Sequence, residues 1–350
     1  ILKSYNMSVN PFEEHFSTLH VYRKDTATNN YTIPCLVNTP VSVFLIGENI
    51  LGLIVIMPTL STFLYHQLYY NATYKCILIL LFADALAATF AGPIASFVAV
   101  RGCDALPQVW CSMHAFVMFF CGLLKINIIT TLAVLRHYIM SRTLNSDHSK
   151  RMCKRLATFG IIFSSAYAMF WSLCPFFGLN EFVKDGVGCS IRWHNGPLKD
   201  IIYVGLLLIL EFILPMIFII GAYGLILRTI CRNRYSIVQN EHLQIQREYR
   251  VFTLTIVIAV SYLVSWTPYA ICATLMFLDY PPNHMLLVSS IILAKASYIW
   301  DSIIYTWALP ELKNVWLGAA RKVWWRTRQH QTSEFDEITM NSIPQPALRS

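Results

Sequence analysis

Lys295 lies in the middle of an apolar run, Met285 to Leu309, that is long enough to cross a bilayer. A charged ammonium at that depth costs roughly 2.5–3.5 kcal/mol even on a lenient insertion scale, so something must offset it. Two chemistries are open to the amine. Charged, it needs a buried acid beside it. Neutral, it is a nucleophile that condenses with a carbonyl compound to give an imine. Asp84, Lys125, Glu211 and Asp301 also fall inside apolar stretches. Ionisable residues at such depth pair with one another or mark a functional site.

The elements that position these residues are helices. Of the 350 residues, 56% are hydrophobic and only 13% are charged, against about 25% charged in soluble domains. A spanning helix needs about 20 mostly apolar residues. Seven stretches qualify: Val41–Tyr65, Tyr74–Val100, Trp110–Met140, Leu156–Leu179, Asp200–Ile230, Val251–Leu278 and Met285–Leu309. The expected fold is an all-α membrane protein, a seven-transmembrane helix bundle. It divides into an extracellular N-terminal segment (1–40), a seven-transmembrane domain (41–309), and a cytoplasmic amphipathic helix with its tail (310–350). Val315-Trp316-Leu317 and Val323-Trp324-Trp325, set among basic residues, carry the expectation of that short eighth helix on the inner leaflet.

The net charge of +8 could suggest nucleic acid, but its placement argues against that. Arg142, Lys150, Arg151, Lys154 and Arg155 follow span 3. Arg228, Arg232, Arg234, Arg247 and Arg250 surround the loop between spans 5 and 6. Lys313, Arg321, Lys322, Arg326 and Arg328 follow span 7. All fall on one side of a seven-span chain, which the positive-inside rule makes cytoplasmic. The N-terminus is then outside, with glycosylation sequons at Asn6 and Asn30. A third sequon, at Asn71, falls in an inner loop and should be silent. The ten cysteines include no CxxC pair and do not read as a metal site. Cys111 and Cys189 fall on the oxidising outer side, where a disulfide between them can form. Cys35 and Cys103, also outside, leave room for a second.

Motifs along the spans then become specific. Asn49 stands in span 1 and Leu81-Phe82-Ala83-Asp84 in span 2. Arg136 follows Cys111 by twenty-five residues in span 3. Pro215 and Tyr223 mark span 5, Trp266-Thr267-Pro268-Tyr269 span 6, and Asp301-Ser302-Ile303-Ile304-Tyr305 span 7. In this order and at these intervals the chain resembles the rhodopsin-like class of G-protein-coupled receptors. Lys295, ten residues before Tyr305, and the segment Phe212-Ile213-Leu214-Pro215 resemble the opsins within that class.

The resemblance implies that Lys295 holds retinal, 11-cis or all-trans, as a Schiff base. Trp266, Tyr269, His114, Phe119, Gly122, Glu211 and Phe212 would line its pocket. It implies a light-sensing receptor of the plasma membrane, not an enzyme, whose partner is a heterotrimeric G protein. Arrestin and a receptor kinase would be further partners. Arg136, Glu248, Tyr223 and Tyr305 would carry coupling and activation. A proline frees a backbone carbonyl one turn back and bends its helix. Span 6, bent at Pro268, would convert repacking near Trp266 into a swing of its inner end.

The departures from the family matter more. A protonated Schiff base needs an anion within about 4–6 Å. The usual glutamate three residues after the span 3 cysteine is here His114, and the second-span alternative is Ala95. The outer-loop position used by many opsins is Val183, bracketed by Glu181 and Asp185, which makes Asp185 the leading counterion candidate. The alternatives are an unprotonated imine, or a chloride held by a protonated His114; a neutral His114 bonded to a backbone carbonyl is the plain reading. Asp84 and Asp301 match positions that hold a sodium ion in many receptors of the class, and Lys125 resembles the position facing that ion, so an Asp84–Lys125–Asp301 ionic cluster with an ammonium in place of sodium is expected there. The acid before Arg136 is Leu135 and the residue after it is His137, which leaves Glu248 to restrain Arg136 and predicts raised basal signalling. Ser302 replaces the usual proline, predicting a straighter span 7. Two rivals remain: a retinal photoisomerase of the retinochrome or peropsin kind, and a receptor for a diffusible ligand with Lys295 paired to an acid.

Overall fold

Backbone amides inside a bilayer have no water to bond, so apolar spans close their hydrogen bonds internally as helices. The computed structural model describes residues 23–24, 31–32, 39–141, 147–185, 188–193, 196–232, 242–280, 282–309 and 312–318. Among them are seven helices long and apolar enough to cross a membrane. α1 is Thr39–Tyr65, α2 spans Ala72–Arg101, α3 is Gln108–Ser141 and α4 is Asp147–Leu173. α5 runs through Leu198–Leu207, Leu208–Ile213 and Leu214–Arg232; α6 is His242–Phe277 and α7 is His284–Ala308.

Local sequence explains the irregular points. Asn71 Oδ1 accepts the Tyr74 N–H at 2.9 Å, so the third sequon asparagine is the N-cap of α2. Two π-helical turns interrupt the spans, Ala87–Ala91 in α2 and Leu208–Ile213 in α5. Each precedes a proline, Pro93 or Pro215, that cannot donate to the turn before it. Pro215 thus widens the turn ahead of it into a π-bulge, which carries Glu211 and Phe212. α7, with Ser302 in place of proline, runs as one unbroken α-helix.

α3 is the bundle's axis. It packs on α2, α4, α5 and α6, and its buried positions include Lys125, Asn127 and Arg136. α7 docks through two apolar clusters. Tyr298 and Ile299 meet Ile56 of α1 and Ala85 and Ala88 of α2. Leu287, Val288 and Ile291 meet Cys272 and Met276 of α6. The outward faces stay apolar, as Phe44, Ile54, Ile217, Phe218 and Val264 show.

Two short antiparallel pairs complete the described backbone. β1 (Arg23–Lys24) pairs β2 (Tyr31–Thr32). β3 (Phe182–Lys184) pairs β4 (Cys189–Ile191), with Lys184 opposite Cys189. The Cys111–Cys189 disulfide ties the second hairpin to the start of α3, and Gln108 Nε2 donates to the Phe182 carbonyl at 2.9 Å. The chain divides into two units, Ile1–Ile304 and Tyr305–Ser350. In the second unit residues 312–318 are helical, and Lys313 Nζ stands 5.4 Å from the Trp307 ring centre.

Candidate functional site

Lys295 projects from the middle of α7. Its Nζ is sealed from solvent and makes no hydrogen bond to the described residues. It forms part of the wall of a cavity of about 470 Å³ with His114, Phe119, Asp185, Trp266 and Tyr269. A second cavity of about 580 Å³ extends toward α5, lined by Gly122, Glu211, Phe212 and Tyr262. Met118, Phe119, Trp266 and Tyr269 are walls of both. All nine residues expected around the ligand therefore line one pair of adjoining spaces.

Aromatic side chains fix the walls. Trp266 stacks on Tyr262 at 5.6 Å and crosses Tyr269 edge-on at 6.2 Å. A Cβ on Gly122 would lie 2.9 Å from Trp266 Cη2, so this position keeps a glycine to admit the indole. Tyr262 Oη donates to the Gly122 carbonyl at 3.0 Å. Tyr269 Oη meets Ser190 Oγ at 3.0 Å and accepts from Trp193 Nε1 at 3.1 Å, which joins α6 to the β4 strand and the segment after it. Glu211, brought inward by the π-turn of α5, accepts from Asn127 Nδ2 at 2.7 Å. Sequence reasoning did not single out Asn127, Ser190, Trp193 or Ser297, because their partners lie on other elements.

The outer hairpin supplies Asp185. Its Oδ1 accepts the Gly188 N–H at 2.6 Å, and its own N–H donates to the Gly188 carbonyl at 3.1 Å. The carboxylate thus both bonds Gly188 and faces the Lys295 cavity. Glu181 is turned away into an ion pair with Arg192. His114 is buried beneath the same turn, where a Cβ on Gly188 would come within 2.7 Å of its Cε1. Sequence reasoning also passed over Glu48 of α1. It is buried, and lines a further cavity of about 300 Å³ with Lys295, His114 and Tyr298.

Below Trp266 lies a second polar centre. Lys125 Nζ donates to Asp84 Oδ1 at 2.7 Å and stands 2.7 Å from Asp301 Oδ2. All three side chains are almost wholly buried. Ser297 Oγ joins the two centres, accepting from Lys125 Nζ at 3.4 Å and from Trp266 Nε1 at 3.3 Å.

At the inner end of α3, Arg136 and Leu135 are buried. Tyr223 of α5 packs on Phe252 of α6 at 6.0 Å. Tyr305 lies near the end of α7. The Glu248 side chain, Asn6, Asn30, Cys35 and the Cys103 side chain lie outside the described residues, and so does most of the loop between α5 and α6.

With that geometry in place, comparison with known proteins agrees on the family. Residues 52–305 match the family described as 7 transmembrane receptor (rhodopsin family). Parapinopsin of Ictalurus punctatus is 25% identical over 85% of this chain and 89% of its own length. The rhodopsin of Mizuhopecten yessoensis described as G0-coupled is 24% identical over 65% of this chain, and human melanopsin 28% over 59%. The chain spans only 59% and 46% of those two relatives. The crystal structure of squid rhodopsin superposes with a TM-score of 0.70 over 78% of each chain at 21% identity, which speaks for the fold. The chain belongs to the rhodopsin family of seven-transmembrane receptors and is a divergent member of its opsin branch.

Proposed function

We propose that this opsin is a light-sensing receptor that carries retinal on Lys295 and signals to a heterotrimeric G protein. It would lie in the plasma membrane with its N-terminus outside and its basic loops inside. One observation carries the reading: a buried lysine amine without a hydrogen bond to the described residues opens into an aromatic-walled cavity. An amine committed to a structural ion pair would be held as Lys125 is held. The residues present fit a long apolar aldehyde, with the amine at one end and the apolar second cavity at the other.

Retinal, when bound, supplies a polyene that absorbs light and changes shape. The protein's part is to hold the amine, exclude water and fit one shape better than another, since a ligand shifts an equilibrium only by differential fit. Trp266 and Gly122 touch, so a displaced ligand cannot move past them without moving α6. Pro268 lies within α6, two residues after Trp266, and would supply a bend about which α6 could swing. Arg136 and Tyr223 would take up the new arrangement at the inner face. Arrestin and a receptor kinase belong to the same proposal.

A retinal photoisomerase of the retinochrome or peropsin kind is the second reading. Leu135 in place of an acid and Ser302 in place of proline favour it. The deciding experiment is a difference spectrum of the purified protein with 11-cis retinal, dark against illuminated, beside Lys295→Ala. A band lost in the variant is expected, and its absence from the native protein would sink both retinal readings. Isomer analysis before and after light, with nucleotide exchange on a G protein, then separates receptor from isomerase.

A further inference from the structure

We infer that Glu48 of α1 is a second carboxylate serving the Lys295 nitrogen, so that this site gives its lysine two acids, one from the outer hairpin and one from α1. The inference rests on the covalent role of Lys295 proposed above.

Glu48 lies in the apolar run of α1, only 7% exposed, and neither carboxylate oxygen makes a hydrogen bond to the described residues. A buried carboxylate left alone is costly; it is retained where a cation or donor answers it. The groups that face Glu48 identify that partner. α2 contributes Ala91, Gly92 and Ala95 to the shared cavity, α3 His114 and Met118, and α7 Lys295 and Tyr298. Lys295 is the one amine among them, so it is the group in this cavity that can answer the carboxylate.

Asp185 reaches the lysine's space from the outer hairpin. Lys295 and His114 are walls common to the Asp185 cavity and the Glu48 cavity, so both acids open onto spaces that the lysine shares. Asp185, however, spends Oδ1 on the Gly188 N–H of its own turn. A loop carboxylate tied to its turn and a helix carboxylate open to the lysine divide one task. Both would answer the charge held on the Lys295 nitrogen. In this arrangement no bound chloride is needed.

Glu48→Gln, Asp185→Asn and the double variant test this. In apoprotein, the rate at which Lys295 is reductively methylated by formaldehyde and cyanoborohydride at fixed neutral pH reads the charge held on the amine. Peptide mass spectrometry locates the product. Each single variant is expected to raise the Lys295 rate by about tenfold, with a larger rise in the double. Glu48→Asp should return it to the native rate, and Glu48→Leu carries the same expectation as Glu48→Gln if the latter fails to fold. With 11-cis retinal, both singles should lose part of the visible band to the near ultraviolet, in chloride or in gluconate alike. A native rate and a native band in Glu48→Gln and Glu48→Leu, with both altered in Asp185→Asn, would overturn the inference. If the native protein forms no lysine-dependent band yet the methylation rate responds to Glu48, the pairing stands and the retinal reading falls.

Discussion

Lys125 and Lys295 are two buried lysines in one bundle, held in opposite ways. Lys125 is gripped by Asp84 and Asp301 at 2.7 Å each. Lys295 makes no hydrogen bond to the described residues and shares open space with Asp185 and Glu48. Close pairing locks a charge in place and removes the amine's lone pair from chemistry. An amine with room around it stays available as a nucleophile, at the cost of a poorly solvated site. The bundle thus separates a structural lysine from a reactive one, and Ser297 with Trp266 stands between them.

The largest effect should come from breaking the closed site. Lys125→Ala would leave two carboxylates buried together without their cation. Loss of one side of a buried network costs roughly 3–5 kcal/mol. A sharp fall in melting temperature in detergent is expected, and unchanged melting would deny that the cluster supports the fold. Asp84→Asn with Asp301→Asn and Lys125→Met should recover most of the loss, because an uncharged replacement of a whole buried network is often neutral.

How far the sequence revealed this contrast depends on the residue. Lys295 and Lys125 stood out because a charge inside an apolar run carries its own cost, and family spacing then paired Lys125 with Asp84 and Asp301. Glu48 carries the same cost inside α1, yet it stands beside Asn49, and the landmark residue drew the attention due to its neighbour. The bundle itself was readable from seven apolar runs, since the bilayer leaves the backbone few alternatives. The π-turns were not, because a proline states that a hydrogen bond is missing without stating how the helix adjusts. Asp185 was named for its position in the loop. Its hydrogen bond with Gly188 is one that no spacing rule exposes, and the reach of Trp193 to Tyr269 depends on where the β4 strand places the segment after it.

A middle-sized effect tests the boundary between the two sites. Gly122→Ala would press a methyl against Trp266 at 2.9 Å. Overpacking of this kind costs about 1–3 kcal/mol. The expected outcome is a lower melting temperature together with slower formation of the Lys295 adduct, as the indole is pushed toward the ligand space. A drop in melting without a change at Lys295 would show that the displaced indole moves away from the cavity. Ser297→Ala removes two long hydrogen bonds and should cost about 1 kcal/mol. Combined with Trp266→Phe it should cost less than the two singles added, because one of the lost bonds is shared. Strict additivity would mean that Ser297 and Trp266 do not communicate.

The smallest expected change sharpens the comparison most. Lys295→Leu replaces an amine without a close partner by an apolar side chain, in a helix packed by apolar clusters on both sides. The substitution removes the penalty of a poorly solvated amine and forfeits its attraction to Asp185 and Glu48, and Glu48 meets the loss by neutralising rather than standing as an unpaired buried charge. These opposing effects nearly cancel, and stability should move by about 1 kcal/mol or less, in either direction. Lys125→Leu, the same chemical change one site deeper, should resemble Lys125→Ala instead. Two melting curves therefore test the division of labour between the lysines without any ligand or light. If Lys295→Leu falls as far as Lys125→Leu, Lys295 is a structural cation tightly held by its acids, and the argument for a reactive amine loses its physical basis.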